Sequence, residues 1–317
     1  MKIVVIGGGA AGLGAAGAAK GANPAADIVV YTEFEDVAYS PCGIPFVHGK
    51  EIESFETLFL ATKEQYVKSG IDVHYETTVK SINPKDKTIA VEGEGDVSYD
   101  RLVLATGWNY GDPGLPGSDL DGLYRVKDIR RAMEWDKVIE KSKSAVIVES
   151  GFIAMEMTSA LRHRGLDVTV VDPGPYPMSD VADPEIVEPV RAQWEEMGVD
   201  MQWGNNVTSY CGNGKLTHVE TEQGDVTADI AIIGTHKVPS TRVALTAGIK
   251  TGTTGGIIVD SHMRTSIDDI YAAGDCTEIP HGVSNVPLQG LSGSHAYAQG
   301  KTAGINAGGA DREYRSV

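Results

Sequence analysis

The chain has 317 residues, 41% of them apolar and 22% charged, and its 27 Lys+Arg against 44 Asp+Glu give a formal net charge of −17. That length suits about two domains of roughly 100–200 residues each. So acidic a surface repels phosphate backbones and anionic lipid, which argues against nucleic-acid and membrane-surface partners. No apolar run reaches the ~18 residues of a membrane span. The apolar start before Gly7 is too short for a signal peptide. Three cysteines (Cys42, Cys211, Cys276) make no disulfide framework, so a reducing cytoplasm is expected.

Residues 2–6 are a short β-branched run, as expected of a buried parallel strand. Gly7-Gly8-Gly9-Ala10-Ala11-Gly12 follows, then helical composition from Leu13 to Lys20. A second strand, 27–31, leads to the acid Glu33. Strand, glycines, helix, strand and acid in this order form a dinucleotide fingerprint. Gly7 makes the tight turn, Gly9 lets a pyrophosphate reach the backbone, and Gly12 lets helix and strand pack closely. The helix N-terminus faces the phosphates, and Glu33 accepts from a ribose hydroxyl.

A second unit of the same spacing begins near residue 144. Its strand is 145–148, its loop and helix start are Gly151-Phe152-Ile153-Ala154-Met155-Glu156, and its next strand, 167–171, ends at Asp172. Glu149 stands where the first glycine belongs, and Ala154 replaces the third. Two outcomes stay open: a retained nicotinamide-cofactor site, or a structural relic. Further on, 102–107 and 230–235 each end a strand before a proline-containing crossing. An apolar strand at 256–260 and the motif 270–275 return the chain to the first unit. The expected fold is α/β, with two Rossmann-like domains, the second inserted in the first, each around a central parallel sheet. The first domain runs over 1–112 and 243–317, and the second over 113–242.

Together these motifs resemble, over nearly all of the chain, the flavoprotein family of pyridine nucleotide–disulfide oxidoreductases. The resemblance implies that FAD is bound by Gly7, Gly9, Ala11, Gly12, Glu33, Ser40, Pro41, Val79, Ala105, Thr106, Gly107, Gly274 and Asp275. It assigns Gly151, Phe152, Ile153, Glu156, Asp172 and Gly234 to NAD(P)H. Asp172 would repel a 2′-phosphate, so NADH is expected over NADPH.

The segment Ala38-Tyr39-Ser40-Pro41-Cys42-Gly43-Ile44-Pro45-Phe46 is similar to the single-cysteine subgroup: coenzyme A-disulfide reductases and related NADH oxidases and persulfide reductases. The subgroup's serine four residues before the cysteine is Ala38 here. Glutathione-reductase-like members need a second cysteine five residues on, and that position is Val47. A redox-active Cys42 therefore cycles through a mixed disulfide, a persulfide or a sulfenic acid. Taken alone, Cys42 would read as a small buried hydrophobe; within Cys-Gly-Ile-Pro a redox role is expected instead. Peroxidase- and oxidase-type relatives carry a histidine in the first glycine loop, where this chain has Ala10 and Ala11, which favours disulfide or persulfide reduction.

The implied route passes hydride from NADH to flavin once Phe152 moves aside, and then electrons to a Cys42 mixed disulfide. The acid that protonates the leaving thiolate is unassigned; His48 and His295 read as surface or capping histidines. Cys276 reads as buried, Cys211 as surface, and no His/Cys cluster has metal spacing. Relatives of the subgroup are homodimers through a further C-terminal domain, and the segment 312–317 looks like its beginning. Three readings stand. The first is a reductase of coenzyme A disulfide or a related small disulfide or persulfide. The second is an NADH oxidase or electron-carrier reductase in which Cys42 is secondary. The third is a non-catalytic FAD-binding protein with a degenerate nicotinamide site.

Overall fold

The computed structural model describes residues 1–111, 113–234, 237–290 and 292–315. The expected boundary at Asp112, Thr235 of the second strand-end motif and the last two residues lie outside the described residues. The chain forms two compact units. The first comprises Met1–Tyr39, Leu60–Asn109 and Lys237–Val317; the second comprises Ser40–Phe59 and Tyr110–His236.

The first unit is built on a five-stranded parallel sheet. Its order is Ile270–Ala272, Arg101–Leu104, Lys2–Ile6, Asp27–Tyr31 and Ile71–His74. Ile3, Val4 and Val5 are fully buried, which is why the central strand is an unbroken β-branched run rather than an alternating one. Each such side chain contributes about 1.5–3 kcal/mol on burial. The first glycine-loop helix, Ala10–Ala22, packs on the C-terminal helix, Gly293–Ala307. Both present mainly glycine and alanine to the seam. A Cβ on Gly300 would lie 2.1 Å from the Ala11 carbonyl oxygen, and one on Gly304 would lie 2.1 Å from that of Ala15. The two backbones therefore touch, and any larger residue would push the first glycine loop off its sheet. The strand expected over 256–260 is confined to Ile257–Ile258. Asp260 is diverted into a turn, where its carboxylate accepts from the backbone N–H groups of His262 and Arg264 at 2.9 and 2.8 Å.

The second unit repeats the plan. Its parallel sheet runs Asp200–Trp203, Asp167–Asp172, Ser144–Val148, Ile230–Ile233 and Leu123–Tyr124. The helix Phe152–His163 is the second glycine-loop helix. The helix Ile129–Ile139 starts where the Asp128 carboxylate accepts from the Arg131 N–H at 2.8 Å. An antiparallel meander of Val207–Gly212, Leu216–Thr221 and Gly224–Thr227 completes it. The segment 40–59, which the sequence reading left with the first domain, packs in this second unit. The reason is local: a Cβ on Gly49 would lie 3.3 Å from Ala160 Cα of the second glycine-loop helix, so backbone packs on helix there.

Candidate functional site

The first glycine loop is shaped by steric need. Gly7 has φ 115, and a Cβ there would sit 2.1 Å from the Ala105 carbonyl oxygen. A Cβ on Gly12 would sit 1.9 Å from the Gly7 oxygen. Gly9 instead has nothing within 4 Å, and it caps a helix with no side-chain cap and no acid in its first turn. That helix end offers unpartnered N–H groups and an uncancelled positive dipole, the features that hold a pyrophosphate. The Gly7 N–H donates to Tyr31 O at 2.8 Å, tying the loop to the strand that delivers the exposed Glu33.

The remaining residues of the set gather in the same unit, except Ser40 and Pro41, which belong to the second unit with the segment 40–59. Ala11 is buried under Gly274, whose φ of 81 and absent Cβ, which would lie 2.8 Å from Ala11 Cβ, bring the second turn onto the first. Asp275 follows, half-buried; burial pushes its carboxyl up, and Lys237 pulls it partly back. Thr106 Oγ1 donates to Ser240 O at 2.5 Å, and Gly107 turns with φ 65. Ala105 and Val79 are buried, so any approach to a ligand at these positions is through the backbone. An open loop, a bare helix end and an acid beyond the second strand fit FAD. Sequence reasoning missed Gln299. It is 4% exposed, and its Oε1 accepts from the Gly274 N–H at 2.7 Å and from Thr277 Oγ1 at 3.1 Å. A lone glutamine in a helix carries no sequence signal that it holds a turn 25 residues earlier.

The second glycine loop keeps the geometry with different residues. Gly151 caps the helix with open space around it and no acid in the first turn. Phe152 stands 66% exposed at the helix start, an unusual place for a large apolar ring. Ile153 and Glu156 are half-buried on the same helix. Asp172 ends its strand buried, accepting from Ser150 Oγ at 2.5 Å and from the Gly174 N–H at 2.6 Å. Glu149 adopts the left-handed φ of 64 that its glycine-like position demands. Its carboxyl is pushed up to about 7, first by burial and then by the charges of Asp172 and Asp180. Near neutrality it is therefore partly uncharged, which softens the repulsion a pyrophosphate would meet. The arrangement fits a dinucleotide.

Cys42 lies in the short 3-10 turn Pro41–Gly43, which Ser40 caps; the turn leads straight into the helix Ile44–His48. It is exposed, which overturns the reading of a buried hydrophobe; Cys276 is the buried cysteine. Ser40 N–H donates to Leu58 O at 2.9 Å, and Gly43 N–H to Ser40 O at 3.1 Å, which closes the turn. Ala38, four residues before Cys42, has φ 58, a left-handed conformation in a β-carbon-bearing residue.

His48 is not the surface or capping residue the sequence reading made it: it is fully buried. Its Nδ1 is 3.3 Å from Asp136 Oδ1, and its Nε2 is 3.2 Å from Tyr124 Oη. With Nδ1–H donating to the Asp136 carboxylate, Nε2 faces the tyrosine hydroxyl and accepts its proton when the ring is neutral. Burial pushes the His48 pKa down, against the pull of Asp136. Asp136 also binds Lys50 Nζ at 2.9 Å and Arg164 Nη1 at 2.8 Å, and Arg164 Nη1 reaches His48 O at 3.1 Å. Burial alone would raise the Asp136 carboxyl; hydrogen bonds from His48, Lys50 and Arg164 outweigh it and hold it well below the usual range. The helix that follows Cys42 is thus clamped at its far end. His295 is half-buried and is not itself a cap: Ser292 caps the C-terminal helix, its Oγ accepting from the His295 N–H at 3.4 Å and lying 2.8 Å from His295 Nδ1.

A further cluster escaped the sequence reading, which found no metal spacing and made Cys211 a surface residue. Cys211 is half-buried, and its donor atom lies within 4.8 Å of those of His218 and Glu220.

Residues 1–300 match the family model of pyridine nucleotide-disulphide oxidoreductases. An NADH oxidase of Methanocaldococcus jannaschii is 35% identical over 100% of this chain and 72% of its own. A CoA-dependent NAD(P)H sulfur oxidoreductase of Pyrococcus furiosus is 32% identical over 100% of this chain and 72% of its own. The solved structure of an NAD-dependent persulfide reductase from A. fulgidus superposes with a TM-score of 0.96 at 30% identity, covering 100% of this chain. This chain spans 61% of the length of that structure.

Proposed function

Because this chain belongs to the pyridine nucleotide-disulphide oxidoreductase family, we propose that it is a flavin-dependent NAD(P)H oxidoreductase that reduces a small disulfide or persulfide, coenzyme A disulfide among them, through Cys42. Members of the family bind FAD and use NAD(P)H. The observation that carries the reading is an exposed Cys42 in a chain with Val47 five residues on. A cysteine so placed reacts with an incoming sulfur species rather than closing an internal bridge. The sulfur oxidoreductase and persulfide reductase among its relatives support the substrate class.

Bound FAD would supply the two-electron link between a nicotinamide and a thiol. The chain's residues would do the rest. The two glycine loops would hold pyrophosphates at their helix ends, and Glu33 would accept from a ribose hydroxyl. Phe152 would shield the dinucleotide position and yield to the nicotinamide. Asp172, its oxygens already bonded to Ser150 and Gly174, would select NADH over NADPH by charge repulsion. The Cys42 thiolate would attack one sulfur of the substrate, forming a mixed disulfide and releasing one thiol with a proton from solvent or a nearby acid. Two electrons and a second proton would then release the other thiol and restore the Cys42 thiolate.

Anaerobic titration with NADH, followed by flavin absorbance, tests the first half. Cys42→Ser tests the second: flavin bleaching should persist while disulfide reduction is lost. If Cys42→Ser keeps disulfide reduction, the substrate role of Cys42 is wrong. The NADH oxidase among the relatives favours a second reading, in which oxygen is the acceptor and Cys42→Ser leaves turnover intact. A third, non-catalytic reading rests on Glu149, and it predicts no bleaching by NADH while dithionite still reduces the flavin.

A further inference from the structure

The strands Val207–Gly212 and Leu216–Thr221 pair so that Cys211 opposes His218 and Ser209 opposes Glu220. Alternation puts these four side chains on one face. The intervening pair, Tyr210 and Val219, is buried in the core on the other face. Donor atoms of Cys211, His218 and Glu220 all lie within 4.8 Å of one another. Zinc bonds of about 2.0–2.3 Å in tetrahedral array space their donors roughly 3.5 Å apart, a closure within reach of side-chain rotation.

The surroundings orient each donor. The Thr217 hydroxyl donates to Cys211 O at 3.1 Å, so its oxygen is left to accept from His218 Nδ1–H, also at 3.1 Å. That fixes the tautomer with the lone pair on Nε2, as metal-ligating histidines require. Ser209 is buried, and its Oγ lies 3.3 Å from Cys211 Sγ and donates to Glu220 Oε2, holding the carboxylate at the thiol.

We propose that this hairpin face is a divalent-cation site that takes Zn2+ through the Cys211 thiolate, the His218 imidazole and the Glu220 carboxylate. A sulfur, nitrogen and oxygen set suits Zn2+ and disfavours Mg2+ and Ca2+, which want oxygen alone. Three protein ligands leave a fourth position for solvent or an added ligand. Ligation forms the Zn–S bond and breaks S–H, with the proton leaving to solvent, so affinity rises with pH. The site shares no residue with those assigned to flavin, to nicotinamide or to the Cys42 chemistry.

The test uses the full FAD-loaded chain, freed of metal by chelator and dialysed against Zn2+, with metal counted by elemental analysis. Wild type and Cys42→Ser should each hold one Zn2+ per chain. The pair Cys211→Ser/His218→Gln should lose it, its affinity falling by more than the about 10–100-fold that losing a residue which merely orients a ligand costs. In wild type, Zn2+ should slow alkylation of Cys211, read by peptide mass mapping, by about tenfold once it exceeds its Kd by that factor. Equal zinc in the double variant, or unchanged Cys211 alkylation in wild type, overturns the proposal. The alkylation arm decides even if the double variant does not fold.

Discussion

Ala154 and Gly234 share one small space: a Cβ built on Gly234 would lie 3.1 Å from the Ala154 Cβ. In the first unit the same two positions hold Gly12 and Ala105, and a Cβ on Gly12 would lie 3.4 Å from the Ala105 Cβ. Each glycine-loop helix therefore meets its sheet through one glycine and one alanine, with the roles exchanged. Gly234 thus leaves room for the Ala154 Cβ, whereas at Gly12 the tighter demand comes from the Gly7 oxygen, 1.9 Å from a built Cβ. Gly234→Ala should overpack the contact and cost about 1–3 kcal/mol. Adding Ala154→Gly should recover most of that loss. Urea unfolding of the four members of the cycle measures the coupling, and strict additivity would show that the two residues do not share the space.

Glu149 makes the second loop pH-sensitive. Its carboxyl rises from an ordinary 4.5 to about 7 in the folded chain. The native state therefore keeps a proton that the unfolded chain releases earlier. Stability is fullest below the unfolded value, falls as pH rises toward the folded one, and is flat above it. Glu149→Gln should leave stability at low pH nearly unchanged and raise it above pH ~7. The ionised acid also repels a pyrophosphate, so NADH affinity should fall between about pH 6 and pH 8 in wild type and stay level in Glu149→Gln. Fluorescence titration of NADH at several pH values checks this; parallel profiles for the two proteins would remove Glu149 from the site.

Asp136 should be the costliest single loss in the second unit. Asp136→Ala strands the buried His48 and the mostly buried Arg164, at about 3–5 kcal/mol. Since the Asp136 carboxyl is held below its ordinary 3.8, its stabilisation is present above that pH and lost as pH falls beneath it. The gap between wild type and variant should be constant near neutrality and close on acidification. Thermal unfolding at several pH values measures it. A pH-independent gap would mean that the loss is one of packing rather than charge.

How legible all this was depended on how local the cause is. The two strand–loop–helix units were readable because Gly9, Gly12 and Gly151 act within a few residues of themselves, and Gly7, whose tight contact is with the distant Ala105, stands in the same local motif. Cys42 stood out by motif, but its exposure did not follow from sequence. His48 was misread because its partners, Asp136 and Tyr124, lie 88 and 76 residues away. The Cys211–His218–Glu220 cluster was invisible because strand pairing, not linear spacing, assembles it. The close contact between Ala154 and Gly234 was hidden for the same reason.

Gln299 offers a test of what holds the first dinucleotide site open. Its Oε1 accepts from Gly274 N–H and from Thr277 Oγ1, so one buried oxygen fixes both ends of the turn that carries Asp275. Gln299→Leu keeps the bulk but leaves a buried N–H without an acceptor, at about 1–3 kcal/mol. If the turn positions Asp275 for a ribityl chain, the variant should lose FAD more readily than its stability loss explains. Gln299→Glu, which keeps the acceptor, should retain most of the FAD. Flavin release on dilution, measured beside urea unfolding for both variants, separates the two effects. FAD retention that simply tracks stability would make Gln299 a core residue with no bearing on the cofactor.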